Sequence, residues 1–258
     1  MSLAPNTENY LLGRGRIYFD RFDSQGQRTG WLDLGNAPDF SITISKETLE
    51  HFSSRSGIKA KDLEVVQQIA SSFQFTLEEF SKENLALALL GEEASASQAG
   101  GSVTDESITA KHDRYVDLQY RKVSNVVVTG QGGTPTYVEG TDYVVDYEEG
   151  MIMALSSGSI SDGAAILVDY DYGSLTAYDI RALKDASVDG ALKFVGDPAQ
   201  GPALVLEVWK CKLMPSGEIG LISDDWANFQ LQAEAQKDEI NHPNEPYFRV
   251  THIDGGWS

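Results

Sequence analysis

Phe40, Ile42 and Ile44 alternate with Asp39, Ser41 and Thr43, a period of two that predicts a half-buried strand. The period returns after Ile69. Phe73, Phe75 and Leu77 fall on one face, and Gln68, Ala70, Ser72, Gln74 and Thr76 on the other. Between these strands, residues 46–64 are polar, with Ser53, Ser54, Ser56 and Gly57 near the middle. They read as a long loop, and loops of that length in compact domains are commonly functional or disordered. A helix is predicted over 81–90, with Ser81 as N-cap, Leu85 and Leu89 sharing a face, and Gly91 placed to end it. The next stretch, EEASASQAGGS over 92–102, reads as a flexible linker of small residues.

Beyond the linker the texture changes. Short strand signals over Asn125–Val128, Tyr143–Tyr147, Met151–Leu155 and Ala165–Tyr172 are separated by Gly-rich turns at 130–133 and 149–150. After Gly173 longer alternations resume: Leu204, Leu206 and Val208 against Val205, Glu207 and Trp209, then Phe229, Leu231, Ala233 and Ala235 against Asn228, Gln230, Gln232 and Glu234. The chain therefore reads as mainly β with one flanking helix. A discontinuous sandwich- or barrel-forming β-domain, 1–95 plus 174–258, is interrupted by a small β-sandwich-like insert over 96–173.

Composition narrows the function classes. The net charge is −19, and an acidic surface repels phosphate backbones, which disfavours a protein that grips nucleic acid through Lys and Arg. Residues 103–172 hold 12 acids against 4 bases, which suits a solvated outer module. A single cysteine, Cys211, rules out an internal disulfide and points to folding in a reducing compartment. The first ten residues lack a basic start followed by an apolar run, so no signal peptide is expected. No apolar stretch approaches a membrane span.

Reactive constellations are scarce. His51, His112, His242 and His252 are scattered, without the spacing a zinc site needs. Cys211, among strand residues, reads as a buried structural thiol. Gly13 and Gly15 begin a GxG that leads into a strand, unlike a phosphate cradle, and Ser157–Gly158–Ser159 reads as a turn. Asp169 and Asp171 could hold calcium or simply face solvent along a strand. Trp31, Trp209, Trp226 and Trp257 could form a sugar platform or serve as core and interface anchors. A carboxylate-pair hydrolase is the best enzymatic alternative, but the reading is of a non-enzyme with no cofactor, metal or catalytic residue.

The strands stand out for what they lack. Residues 39–45, 65–77 and 226–236 contain no Lys or Arg. Ser41, Thr43, Gln68, Ser72, Gln74, Thr76, Asn228, Gln230, Gln232 and Glu234 would form neutral-to-acidic polar faces. A wall lining a DNA channel would want this composition, because each basic group near a phosphate adds a salt-dependent grip on a moving duplex.

The strings ENYLLGRGRIYFD (8–20), GWLDLGNAPDFSITI (30–44), ETLEHFSSRSGIKAKD (47–62), FQFTLEEFSKENLALALLG (73–91) and DIRALKDASVDGALKFVGDPAQGP (179–202) resemble the major tail proteins, or tail tube proteins, of siphophage-type bacteriophages. TDYVVDYEEGMIMAL (141–155) resembles modules that some of them carry. The resemblance implies subunits in six-membered rings stacked into a hollow tube, with strands from every subunit joined into a barrel around the lumen. It implies that the ten polar residues above face the lumen, and that loop 46–64 reaches the adjoining ring. That loop carries Lys46, Arg55, Lys59 and Lys61 against Glu47, Glu50, Asp62 and Glu64. The arm 1–12 and the tail 243–258, with Pro243, Pro246, Phe248 and Trp257, would make further contacts, while the helix and the insert lie outside. Implied partners are other copies of the chain, a tape-measure protein, tail terminator and baseplate or tail-tip proteins, with DNA only in passing and no membrane insertion. The implied location is the virion tail, assembled in the host bacterial cytoplasm. The alternative is a two-domain surface module that binds a carbohydrate or host receptor.

Overall fold

In the computed structural model, residues 7–55, 57–254 and 257 are described. Residues 1–6 of the N-terminal arm, Ser56 of the polar segment, and 255, 256 and 258 of the tail lie outside them. After a short 3-10 turn come β1 (Gly15–Arg21), β2 (Leu32–Asp33), β3 (Asp39–Ser53), β4 (Ala60–Leu77) and helix α1 (Lys82–Ala88). Then follow β5 (Glu92–Ser95), β6 (Gly101–Thr109), β7 (Tyr115–Asp117), β8 (Val123–Gly130), β9 (Tyr143–Asp146), β10 (Met151–Ala154) and β11 (Ala165–Tyr172). The chain closes with β12 (Tyr178–Arg181), β13 (Val188–Gly196), β14 (Ala203–Pro215), β15 (Phe229–Ala235) and β16 (Phe248–Ile253). It divides into two compact units, 1–93 with 180–258, and 94–179.

The first unit is built on one sheet in the order β2-β1-β13-β14-β15-β4-β3, with β16 added beside β14. Its alternating apolar positions fold over one another: Phe40 of β3 stacks on Phe194 of β13 at 4.9 Å, and Phe73 of β4 meets Phe248 of β16 edge-on at 5.5 Å. Ile17, Phe19, Phe75, Leu77, Leu213 and Phe229 complete a dry core beneath them. None of the sheets closes into a barrel among the described residues.

A β-bulge in β14 decides how this unit branches. Gly190 pairs with Cys211 and Leu192 with Val208, so Trp209 and Lys210 together oppose Ala191. The extra residue switches the inward set from Leu206 and Val208 to Cys211 and Leu213. It also lets β16 pair with the first half of β14 and β15 with the second. Cys211 is buried, and that burial pushes its thiol up to about 12, which keeps it protonated and inert.

Helix α1 starts where the sequence places it, with Ser81 Oγ accepting from the Asn84 amide at 3.1 Å. Its buried residues, however, are Asn84, Ala86, Leu87 and Ala88, not Leu85 and Leu89. The left-handed residue at its end is Leu90, at φ 51°. The Gly91 amide reaches back to the Ala86 carbonyl at 2.8 Å, closing a Schellman turn. Gly91 is needed for a different reason: a Cβ there would sit 2.6 Å from the Arg181 carbonyl oxygen.

The second unit holds two three-stranded sheets, β6-β11-β8 and β7-β10-β9, around Val128, Ile152, Ile160, Ile166, Val168 and Tyr170. β11 is bulged against both neighbours near Tyr170. Asp169 and Asp171 are taken up in those bulges: Asp169 accepts from the Asp105 amide at 2.6 Å, and Asp171 accepts from Ser102 and Asn125.

Two expectations about connections are corrected. The segment 92–102 is not a free linker: β5 pairs with β12, and the Gln98 amide donates to the Arg121 and Gly173 carbonyls at 2.7 and 2.8 Å. The segment 46–64 is not a loop but most of a long hairpin, in which only 54–59 lie outside the two strands. Its polar residues hid the strand period because this hairpin leaves both faces exposed, which removes the inside–outside contrast that marks a half-buried strand. Part of the C-terminal tail is likewise a strand, β16.

Candidate functional site

The candidate site is one face of the first unit's sheet together with the hairpin that continues it. In antiparallel ladders, directly opposed residues share a face. The registers therefore set rows across β15, β4 and β3: Gln230–Thr76–Asp39, Gln232–Gln74–Ser41 and Glu234–Ser72–Thr43. The face continues up the hairpin through Ala70–Ser45 and Gln68–Glu47. Nine of the ten residues singled out from the sequence thus lie on one surface, and exposed Asn228 directly precedes β15.

Within the face, side chains hydrogen-bond to one another. Gln74 donates to Gln232 at 3.2 Å, and Gln232 to Glu234 at 3.4 Å. Thr76 is an exception to the exposed reading. It is buried, and its hydroxyl lies 2.7 and 2.8 Å from the two carboxylate oxygens of Asp39, so it supports the face from beneath. The first base appears one strand over, where Lys212 of β14 stands opposite Glu234.

The hairpin has an 18-residue strand, β4, against a 15-residue one, β3. Gln67 bulges out between the pairs Glu47–Gln68 and Thr48–Val66, and Asp62 between His51–Leu63 and Phe52–Lys61. The other face of the hairpin prolongs the core side of the sheet. It carries Ile42, Ile44, Ile69 and Val66, then Lys46, Glu50, Glu64 and Lys61, then Phe52. Ile44 and Ile69 are 66% and 59% exposed, although their strand neighbours Phe73 and Phe75 are fully buried. Leu49, Leu63 and Val65 are uncovered on the opposite side. Eight apolar side chains on one narrow ribbon exceed what solubility requires, and such patches mark association surfaces.

Charges on the ribbon are ordered. Lys61 pairs with Glu50 at 2.6 Å and Glu64 at 2.5 Å, and Lys46 with Glu64 at 3.2 Å. The hydrogen bond from Lys61, then that from Lys46, holds Glu64 below the usual carboxylate range, while Glu50 and then Glu64 raise Lys61. His51 lies 2.5 Å from Asp62. Of the eight charged residues expected in a stacking loop, Lys46, Glu50, Lys61 and Glu64 are ion-paired on the strands, Asp62 lies against His51, and Glu47 sits on the polar face. Arg55 and Lys59 stand at the tip with no ion-pair partner among the described residues.

Two edges are open. Among the described residues, β3 has no strand beyond it, and β4 meets β15 only over 72–77, which leaves its first twelve residues paired to β3 alone. Beside the hairpin base opens an apolar groove of about 760 Å³, lined by Ile17, Phe40, Ile42, Phe194, Leu204 and Val250 among others. Sequence reasoning missed this groove because it depends on where the sheet folds over. Among the described residues, no group of three or more His, Cys, Asp or Glu side chains is arranged to hold a metal ion. Of the tryptophans, Trp209 is enclosed between His242, stacked at 3.7 Å, and Arg249, so its ring is not open to a sugar.

The family described as "Protein of unknown function UCP028589" matches residues 10–251. The tail sheath protein of Burkholderia phage BcepMu is 38% identical over 74 residues, a stretch that covers 27% of this chain and 16% of that protein. The similarity to a phage tail protein is therefore partial.

Proposed function

We propose that this chain, which belongs to the UCP028589 family of unknown function, is a non-enzymatic structural subunit of a phage tail, and within the tail a subunit of the tube. The observation that carries the reading is the pairing of a base-free polar face with a ribbon whose apolar residues and strand edges no described residue covers. Exposed strand edges of this length aggregate unless something pairs or covers them. Neighbouring copies would do so, joining β3 and β4 of successive subunits into one wall. The polar face would then line a lumen that passes DNA and holds a tape-measure protein. The partial similarity to a tail sheath protein supports the tail assignment.

Negative-stain electron microscopy of the purified chain, before and after concentration, tests the reading. Hollow tubes or stacked rings are the expected result. A stable monomer that instead binds glycans or host cells would replace the reading with the receptor-binding alternative. A second reading, favoured by the sheath relative, is that the subunit builds an outer layer. A cylinder wide enough to enclose another tube would support it, and a channel near the width of duplex DNA would support the tube.

A lumenal face makes a further prediction. Gln74→Lys with Gln232→Lys should leave assembly intact, because both side chains are surface groups that, among the described residues, hydrogen-bond only to each other and to Glu234. Repeated around every ring, those charges should slow DNA ejection in a salt-dependent way. Ejection at the unmodified rate, at low and high salt alike, would place the face elsewhere.

A further inference from the structure

The hairpin tip and the loop 216–228 carry opposite charge and exposed apolar groups at opposite ends of the first unit's sheet. The tip holds Arg55 and Lys59, neither of them ion-paired among the described residues, and Ile58 between them in sequence. The loop between β14 and β15, SGEIGLISDDWAN, holds Glu218, Asp224 and Asp225 and not one base. It presents Ile222 at 98% and Trp226 at 86% exposure, with Leu221 beside them. Ile219 of this loop packs against the core. An exposed tryptophan flanked by acids is poorly explained by the fold of the chain that carries it, and tryptophan is a preferred interface anchor.

The two elements cannot meet within one chain. The loop leaves the sheet where the Ser216 amide donates to Gln230, in the row of Thr76 and Asp39, the first residue of β3. The tip lies beyond Ser53, the last residue of that 15-residue strand. At about 3.3 Å per residue the separation is roughly 45 Å along the strand. Complementary patches at opposite ends of an axis suit a head-to-tail contact, which repeats from copy to copy as an open stack when the rotation between copies does not close.

We infer that the hairpin tip of one copy docks on the 216–228 loop of the next, with Arg55 and Lys59 facing Asp224, Asp225 and Glu218, and Ile58 against Ile222 and Trp226. The inference rests on the tail-subunit reading and names the acceptor surface for the hairpin. The charges steer and orient the encounter, and the apolar groups supply the buried centre.

Sedimentation velocity on the full chain tests it, with circular dichroism to confirm that each variant is folded. Arg55→Glu/Lys59→Glu should raise the concentration needed for assembly by about tenfold or more, and Asp224→Lys/Asp225→Lys by a similar factor. An equimolar mixture should assemble as the unmodified chain does, because every contact then joins opposite charges. As a check that reverses no charge, copies bearing Lys59→Cys and Asp225→Cys should form disulfide-linked pairs when mixed and treated with a mild thiol oxidant, since Cys211 is buried and unavailable. If both reversed variants assemble normally, or the mixture is not rescued and the cysteine copies do not pair, the contact is wrong and the tail reading stands. If the unmodified chain stays monomeric throughout, both fall.

Discussion

Replacing Glu50–Glu64 by Asn–Gly is expected to abolish assembly while leaving a folded monomer. Leu49 and Val65 face each other across the ladder, so a two-residue Asn–Gly turn closes the shortened hairpin in a favoured geometry. None of the removed residues belongs to the core of the first unit. What disappears is Phe52, Leu63, the Lys61-centred ion pairs and the whole basic tip. The exposed ion pairs contribute little to the monomer, since such pairs are worth between nothing and about 1 kcal/mol before screening. Thermal unfolding should therefore be nearly unchanged, while microscopy shows no tubes or rings. Tubes of ordinary length from this variant would remove the hairpin from the assembly mechanism.

Phe73→Ala should have the largest effect on the monomer. Phe73 is fully buried and lies across the ladder from Ile42 and Ala233, with its ring against Phe248 and stacked near Phe40. Truncating a buried phenylalanine costs about 3–5 kcal/mol through lost transfer energy and the cavity left behind. All four tryptophans belong to the first unit, so tryptophan fluorescence during urea denaturation follows that unit alone. The midpoint should fall sharply with Phe73→Ala and stay within about 0.5 kcal/mol with Gln74→Ala, its exposed neighbour. A small shift for Phe73→Ala would mean that the two layers do not close over this ring.

These two variants separate roles that adjacent segments of β4 perform. Residues 71–77 hold the fold, with Phe73, Phe75 and Leu77 inward. Residues 60–69 are the same strand carried past the core, where, among the described residues, the ion pairs and ladder contacts are made within the hairpin itself. The break comes at Gln67, whose bulge changes which residues face each side. A strand that runs on after its core has ended keeps its apolar positions only if another surface covers them.

The period-two pattern was sufficient to determine the β class, the inward set Phe73, Phe75, Leu77, Phe229, Leu231 and Ala233, and the polar set opposite, because one buried face imposes alternation on every half-buried strand. The helix start was readable at Ser81 because capping is local chemistry. The absence of Lys and Arg from three strands was plain in the sequence as well. That these strands are neighbours, with Gln74 touching Gln232, was decided only by long-range pairing between residues 158 positions apart. The hairpin arms were not readable, because a ribbon exposed on both faces has no period to display. Nor was the fork in β14: a single bulge exchanges the two faces, and its position depends on which strands flank it, not on its own residues. Local pattern settled what each strand must bury, and the tertiary structure settled which strands bury it together and which apolar residues are left for another chain.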